Sequence, residues 1–162
     1  MESSMNSASI EPGQAAPHFS LPAHDGRTVS LHDLKGRKVV LYFYPKDNTP
    51  GCTTEGRDFA ALYPQFQAAG AEVLGVSRDS LKSHGNFAQK YAFPFPLLSD
   101  ADGTVCKDYA VLKEKRMFGK LGFGIERSTF VIDRDGRLAH VERKVKVGGH
   151  AARILDIVKN LP

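Results

Sequence analysis

The sequence predicts an α/β domain in which helices cover both faces of a central mixed, mostly parallel sheet. The first observation is an uninterrupted apolar run at residues 39–44, which is typical of a strand buried on both faces. The second is the helical spacing of the apolar residues that follow, namely Phe59, Leu62, Tyr63 and Phe66. The third is that short apolar runs and helical segments alternate along the chain. Strands joined by helices imply parallel crossovers, and hence this architecture.

Length and composition favour a single domain. The chain has 162 residues, 41% of them hydrophobic and 25% charged, which are ordinary values for a globular protein with a substantial core. We expect a flexible tail at residues 1–10 and one domain over residues 11–162. No apolar run approaches the roughly 18 residues of a membrane span, and the N-terminus lacks the features of a signal peptide. The sequence therefore predicts a cytoplasmic protein with no membrane partner.

Charge, cysteine and histidine content argue against several other classes. The net charge is +4, and the basic cluster at residues 143–146 lacks the aromatic residues that a nucleic-acid platform would need. Two cysteines, Cys52 and Cys106, are too few for a disulfide framework. The histidines show no metal-ligand spacing. We expect no metal, no cofactor and no nucleic-acid partner.

Turn and capping residues indicate the other elements. Residues 18–22 and 28–31 alternate polar with apolar side chains around an Asp-Gly turn and predict a short hairpin. A helix is expected from Thr53 to about Gly70, with Pro64 kinking or splitting it. Later strands and helices are predicted at residues 72–77, 80–92, 97–98, 104–110, 127–132 and 138–143, and after residue 149.

The C-terminal third completes the predicted fold. Residues 113–124 are basic and glycine-rich, and we expect a loop in which Phe118 and Phe123 cover the core or contact a larger substrate. The two strands after this loop flank a turn at residues 133–136 and predict an antiparallel hairpin. A parallel sheet that ends in a hairpin and a helix is a thioredoxin-like arrangement. Ligands of such sheets bind beyond the carboxyl ends of the strands.

Cys52 lies just beyond the end of the strand at residues 39–44, on the loop that enters the next helix. Backbone N–H groups and the helix dipole stabilise negative charge there, so a thiol loses its proton more readily. An arginine from elsewhere in the fold would add to this effect because it is always charged. The competing interpretation is a buried, inert cysteine. The neighbours Pro50, Gly51 and Thr53 are not core residues, which favours the reactive thiol.

Three thiol chemistries compete at this position. A dithiol mechanism needs a second cysteine three residues on, where this chain has Glu55. A cysteine phosphatase needs an arginine six residues on, but Arg57 is five residues on and Asp58 would repel a phosphate. The remaining chemistry is a single thiolate that attacks an electrophile such as a peroxide O–O bond.

The segment from Pro45 to Cys52 resembles the peroxiredoxin active-site motif, in which a proline, a threonine and a cysteine follow at fixed spacing. Residues 43–55, 75–79 and 126–133 resemble the bacterioferritin comigratory protein, or peroxiredoxin Q, branch of that family. The likeness runs from about Gly13 to the C-terminus. It implies a thioredoxin-like fold and a thiol peroxidase activity in antioxidant defence.

The resemblance implies four catalytic residues. Cys52 would be the peroxidatic thiolate that becomes a sulfenic acid. Thr49 would hydrogen-bond the thiolate and the peroxide, and Pro45 would pack over the thiolate and limit water access. Arg127 would stabilise the thiolate and the charge that develops on the leaving oxygen. For Glu55, a first-turn carboxylate that serves the helix dipole and an active-site role remain equally open.

The chain departs from the branch at the cysteines that resolve the sulfenic acid. The two positions that commonly hold such a cysteine are Arg57 and Ala88 in this sequence. Cys106 is expected to pack in a short helix. The sequence thus predicts a one-cysteine enzyme that an external thiol regenerates, whether glutathione, glutaredoxin or thioredoxin. The resemblance also implies a monomer or weak homodimer.

Two alternatives stay open at this point. A thiol-based redox sensor or interaction protein would use the same cysteine oxidation to signal rather than to turn over. The substrate is also open, because hydrogen peroxide and organic hydroperoxides both fit the motif.

Overall fold

The computed structural model describes residues 10–162 and has the predicted α/β architecture. The strands are β1 (Ser20–Pro22), β2 (Thr28–Ser30), β3 (Lys38–Phe43), β4 (Ala71–Ser77), β5 (Leu97–Ser99), β6 (Leu112–Met117), β7 (Lys120–Ile125), β8 (Ser128–Ile132) and β9 (Leu138–Arg143). The helices are α1 (Pro50–Ala68), α2 (Leu81–Tyr91), α3 (Thr104–Asp108) and α4 (His150–Lys159), with a 3₁₀ turn at Leu31–Leu34. The predicted tail lies outside the described residues except for Ile10, which packs against the core.

β3 lies at the centre of a five-stranded sheet whose strand order is β5-β4-β3-β8-β9. β3, β4 and β5 run parallel, whereas β8 runs antiparallel to both β3 and β9. Every residue of β3 is buried, as expected for a strand with a core on each face. The predictions of a mixed sheet and of a C-terminal hairpin at one side of it are confirmed.

Successive residues of β3 point to opposite faces of the sheet and contribute to two separate cores. One core contains Val40 and Tyr42 together with the inward faces of α1, α2 and α4. The other contains Leu41 and Phe43 with side chains from the β1–β2 hairpin and α3. On the first face Tyr42 stacks on Phe59 of α1, with ring centroids 4.7 Å apart. This contact fixes α1, and therefore its first turn, against the carboxyl end of β3.

Helix α1 begins at Pro50 rather than at Thr53, so Cys52 lies in its first turn and not on the loop before it. Thr49 has the extended backbone of an N-cap residue. Pro50 suits the first helical position because its missing N–H is not needed there and its φ is already helical. The sequence predicts that Pro64 kinks or splits the helix, but α1 continues through Pro64 to Ala68 without a split. Pro64 is exposed, so water can satisfy the carbonyl that loses its backbone partner.

The sequence predicts a loop at residues 113–124, but residues 112–125, which we call the ribbon, form the antiparallel hairpin β6–β7. The prediction was wrong because the segment lacks the apolar alternation of a half-buried strand. Lysine and glycine instead face each other across the hairpin, as Lys115 does with Gly122. Backbone pairing across a tight turn at Phe118 and Gly119 forms the strands, and most of the side chains stay in water.

Gly56 on α1 faces an aromatic cluster formed by Phe87 of α2 and by Phe93 and Phe95, which lie between α2 and β5. A substitution at Gly56 therefore tests this packing. A Cβ at Gly56 would lie 2.5 Å from Cζ of Phe93, a ring confined by Phe87 and Phe95. We expect Gly56→Ala to lower the free energy of unfolding by about 1 kcal/mol or more, since overpacking outweighs the gain in helix propensity. Urea unfolding measures the change.

Gly85 on α2 is the matched control, because an added Cβ there meets nothing within 4 Å. Gly85→Ala should therefore raise the free energy of unfolding by about 0.5–1 kcal/mol through helix propensity alone. Equal effects of the two substitutions would contradict the packing described for Gly56.

Candidate active site

Cys52 is the centre of the candidate site and lies in the first turn of α1, beyond the carboxyl end of β3. Only 2% of the residue is exposed. The turn follows from local sequence, because Thr49 takes the N-cap conformation and Pro50 the first helical position. Cys52 is thus the third residue of the helix. Backbone N–H groups that lack an intrahelical acceptor surround this position and favour negative charge.

Arg127 reaches Cys52 from the neighbouring antiparallel strand. The β3–β8 register pairs Phe43 with Ser128, which places Arg127, one residue earlier, beside the end of β3. Its Nη2 donates to Sγ of Cys52 at 3.4 Å. Gly51 leaves space for the guanidinium, since a Cβ at this position would lie 3.1 Å from Nη2. A fixed positive charge therefore touches the sulfur.

Glu55, one helical turn after Cys52, binds the other side of the same guanidinium. Its Oε1 accepts a hydrogen bond of 2.6 Å from Nη1 of Arg127, and the residue is 1% exposed. Burial raises the pKa of Glu55 from 4.5 to about 7, although the charge of Arg127 opposes the shift. Within residues 10–162, Oε2 of Glu55 has no hydrogen-bond partner. Glu55 is thus in contact with the site and is more than a carboxylate at a helix end.

Thr49 and Pro45 lie on the loop between β3 and α1, and the structure places them differently from Arg127. The hydroxyl of Thr49 donates a hydrogen bond to the carbonyl of Lys46 at 2.8 Å. Thr49 is the N-cap residue of α1, three residues before Cys52. Pro45 is exposed. The structure thus brings Arg127 and Glu55 to Cys52, while Thr49 and Pro45 form the loop next to it.

A buried hydrogen-bond network that the sequence did not predict holds this loop against α2. Asp47 accepts hydrogen bonds from the hydroxyls of Tyr44 at 2.6 Å and Ser83 at 2.8 Å. Nδ1 of His84 lies 2.7 Å from Oδ2 of Asp47, and its Nε2 lies 2.9 Å from the carbonyl oxygen of Leu98. Burial opposes the ionised form of Asp47, yet the hydrogen bonds from His84, Tyr44 and Ser83 outweigh it and lower the pKa of this carboxyl.

The same region is where a metal would be sought among the described residues. Ligand atoms of Asp47, Asp79 and His84 lie within 4.8 Å of one another. Both oxygens of Asp47 already accept hydrogen bonds, and Oδ2 of Asp79 accepts from the backbone N–H of Asp47 at 2.9 Å and from the hydroxyl of Ser77 at 2.6 Å. A bound cation would have to compete with these hydrogen bonds for the same carboxylate oxygens. The arrangement therefore fits a network that orders the loop.

Cys106 lies on the opposite face of the sheet from Cys52. It is fully buried in the core that contains Leu41 and Phe43, whereas Cys52 belongs to the core that contains Tyr42. Burial raises the pKa of the Cys106 thiol well above its usual range, and the neighbouring Asp100 carboxylate adds to the shift. Both cysteines are free. The location of Cys106 agrees with the packing role that the sequence predicted.

Fold and site together define a class of protein, the thiol-dependent oxidoreductases with a thioredoxin-like fold. Comparison with known proteins narrows this class, because the AhpC/TSA family profile matches residues 12–141. The chain belongs to the AhpC/TSA family. No helix among the described residues is long and apolar enough to cross a membrane.

Individual relatives agree and cover nearly the whole chain. A Coxiella burnetii protein is 55% identical over 147 residues, which are 91% of this chain and 97% of that protein. The peroxiredoxin Bcp of Xanthomonas campestris is 50% identical over 155 residues, or 96% and 97% of the two chains. A solved structure of the Xanthomonas campestris bacterioferritin comigratory protein, described with its alkyl peroxide reduction activity, has 48% identity and a TM-score of 0.86 and covers 92% and 98% of the two chains.

The predicted family, fold and activity are therefore confirmed. The protein is a thiol peroxidase of the peroxiredoxin type, which reduces peroxides and draws its electrons from a thiol reductant.

The raised pKa of Glu55 predicts a specific pH dependence of stability. The folded protein binds this proton more tightly than the unfolded chain, so the stability due to Glu55 is fully present below pH 4.5 and declines as pH rises toward 7. Glu55→Gln should remove this decline. The free energy of unfolding, measured in urea across this pH range, should be less pH-dependent in the variant than in the wild type.

The exposed Glu11 supplies the control, since Glu11→Gln removes a carboxylate that stays in water and should leave the wild-type slope in place. An unchanged slope in Glu55→Gln would show that Glu55 titrates as it does in the unfolded chain.

Proposed function

We propose that Cys52 is the peroxidatic residue and reduces both hydrogen peroxide and organic hydroperoxides. The observation that carries the proposal is the contact of 3.4 Å between Nη2 of Arg127 and Sγ of Cys52 in the first turn of α1. A guanidinium and a helix N-terminus both favour a thiolate, and the thiolate is the nucleophilic form of cysteine. The relative with alkyl peroxide reduction activity supports organic hydroperoxides as substrates.

The first chemical step is a nucleophilic displacement at oxygen. The Cys52 thiolate attacks one peroxide oxygen, the S–O bond forms and the O–O bond breaks. The other oxygen leaves with the electron pair of that bond and takes up a proton, giving water from hydrogen peroxide or an alcohol from an organic hydroperoxide. The sulfur is oxidised by two electrons to a sulfenic acid, and the peroxide is reduced by two.

Arg127 stabilises the charge that moves from sulfur to the leaving oxygen during this step. The guanidinium is always charged and presents several N–H groups in a rigid plane, so it can remain bound to sulfur and meet the oxygen at the same time. Glu55 is a positioning residue, because its bond of 2.6 Å to Nη1 holds the other edge of that plane. The guanidinium is thereby oriented before the peroxide arrives.

The roles of Thr49 and Pro45 belong to the same proposal. The Thr49 hydroxyl donates to the carbonyl of Lys46, and its oxygen keeps lone pairs that can accept a hydrogen bond from the peroxide O–H. We assign Pro45 to limiting water access on the loop that precedes Cys52. It is exposed in the structure, so this assignment rests on the family resemblance alone.

Regeneration is proposed to use one cysteine and an external thiol. Cys106 is separated from Cys52 by the central sheet, which supports a packing role. A reductant thiol attacks the sulfenic sulfur, water leaves and a mixed disulfide forms. A second thiol then attacks the mixed disulfide and releases Cys52, so the reductant ends as a disulfide. Glutathione, glutaredoxin and thioredoxin are the proposed reductants.

The setting of the enzyme is also part of the proposal. Both cysteines are free, which supports a reducing, cytoplasmic environment. A monomer or weak homodimer remains our prediction for the assembly.

Two cysteine substitutions test the one-cysteine scheme. We expect Cys52→Ser to lose peroxide turnover and Cys106→Ser to keep near-normal turnover, because only Cys52 touches Arg127. Steady-state assays with glutathione, glutaredoxin or thioredoxin measure turnover. Mass spectrometry after one equivalent of peroxide should find a sulfenic acid on Cys52 and, once glutathione is added, a mixed disulfide there. An intramolecular disulfide in the wild type, with turnover lost in Cys106→Ser, would overturn the scheme.

Substitution of Arg127 tests the role of its contact with Sγ of Cys52. Arg127→Lys keeps a positive charge but loses the planar set of donors, so the second-order rate constant for sulfenic acid formation should fall about 10²-fold. Rapid quenching and mass spectrometry measure this constant. Arg116→Lys, on the exposed ribbon, is the matched control and should react at the wild-type rate. Equal rates in the two variants would remove Arg127 from the mechanism.

A further inference from the structure

We propose that the ribbon, residues 112–125, is a docking surface for the anionic face of a lipid bilayer. Among the described residues, four large hydrophobic side chains are exposed, and three of them lie on this hairpin. Phe118 at the turn is 98% exposed, Phe123 61% and Leu121 54%. Exposed aromatic and aliphatic side chains at the tip of a projecting element are typical of an interaction surface.

Three of the four basic side chains of the ribbon lie on the face opposite Leu121 and Phe123, and Arg116 lies on the same face as these two. Cross-strand partners share a face, so Phe123, Leu121 and their partners Glu114 and Arg116 lie on one side. Lys113 and Lys115 lie on the other side, each opposite a glycine.

Gly124 affects how Lys115 lies on the basic face of the ribbon. A Cβ at Gly124 would lie 2.9–3.1 Å from Cδ, Cε and Nζ of Lys115, so the lysine side chain lies flat over Gly124. The result is a flat, basic face opposite the face that carries Leu121 and Phe123, with Phe118 at the turn between the strands. An amphipathic element of this kind suits the boundary between water and lipid.

The charge of the ribbon points to an anionic occupant. Four of its fourteen residues are basic and Glu114 is acidic, so it carries +3 of the net +4 of the chain. The four basic residues are Lys113, Lys115, Arg116 and Lys120. None of them forms an ion pair within residues 10–162. Basic groups close to a surface of anionic lipids contribute binding that screening by salt removes.

A groove at the base of the ribbon extends the apolar face into the domain. It has a volume of about 460 Å³ and is lined by the apolar residues Ala110, Leu112 and Phe123 and the cations Arg78 and Lys107. A groove lined by both apolar and cationic side chains is complementary to a lipid with an acyl chain and an anionic head. A folded protein partner would fill such a groove only with an apolar side chain flanked by acidic residues.

The ribbon is also connected to the candidate active site. β7 ends at Ile125, and Arg127 follows two residues later at the thiol of Cys52. Docking would therefore bring the peroxidase close to hydroperoxides of membrane lipids. The sequence excluded a membrane partner because it contains no spanning segment, but contact with the bilayer surface does not require one.

Vesicle binding by the full chain tests the proposal independently of catalysis. We expect the protein to co-sediment with phosphatidylcholine vesicles that contain roughly one third phosphatidylglycerol, and not with pure phosphatidylcholine. Binding should be present at about 0.1 M salt and lost at about 1 M, where the Debye length falls to about 3 Å. Absence of binding, or equal binding to both vesicles, would overturn the proposal.

A double substitution locates the contact. Phe118→Ser with Lys120→Glu should weaken binding to the anionic vesicles at least about tenfold, because each basic group contributes about fivefold and one is reversed. Leu81→Ser with Lys146→Glu is the matched control, since Leu81 is the other exposed large hydrophobic residue, at 42%. Turnover of hydrogen peroxide should be unchanged in both double variants. Equal vesicle binding by the two variants would place the contact elsewhere.

A fluorescence measurement on an intact ribbon provides the second test. The chain contains no tryptophan, so Phe118→Trp introduces a single indole. Its emission should shift to the blue, and brominated lipids should quench it, when anionic vesicles are added. Leu81→Trp should show neither change. If Phe118→Trp instead shifts on self-association without vesicles, as sized by light scattering, the ribbon is a contact between copies of the chain and the proposal fails.

Discussion

The guanidinium of Arg127, shared between Sγ of Cys52 and Oε1 of Glu55, is the interaction on which the site depends. It exists because β8 runs antiparallel to β3, which brings the end of one strand beside the start of the other. Helix α1 then supplies both partners from its first turns. A partly buried arginine between a thiol and a carboxylate places positive charge where negative charge must develop.

The loop that carries Pro45 and Thr49 is held in place by contacts with α2 rather than by contacts with the thiol of Cys52. Asp47 anchors this loop to the start of α2 through Ser83 and His84. The two positions where this branch commonly has a resolving cysteine, Arg57 and Ala88, lie on α1 and α2. In this chain α2 contacts the loop through Ser83 and His84, and neither position carries a thiol.

Several features could be predicted because their causes are local. The apolar run of β3, the helical stripe of α1 and the Pro-Thr-Cys spacing are each encoded within a few neighbouring residues. The ribbon was missed because its strands are formed by backbone pairing without an apolar face. The start of α1 was placed too late because Pro50 is as compatible with a loop as with a first helical turn. The partners of Asp47 could not be found, since His84 is far away in the chain.

The sequence by itself determined that Cys52 follows a buried strand, that no second cysteine lies at Glu55, Arg57 or Ala88, and that the motif is that of a peroxiredoxin. Tertiary structure decided that Glu55 contacts the guanidinium that touches the thiol. It also decided that Cys106 lies on the other face of the sheet. The physical reason is that strand pairing and the alternation of side chains along β3 assign residues to a face, and neither depends on spacing along the chain.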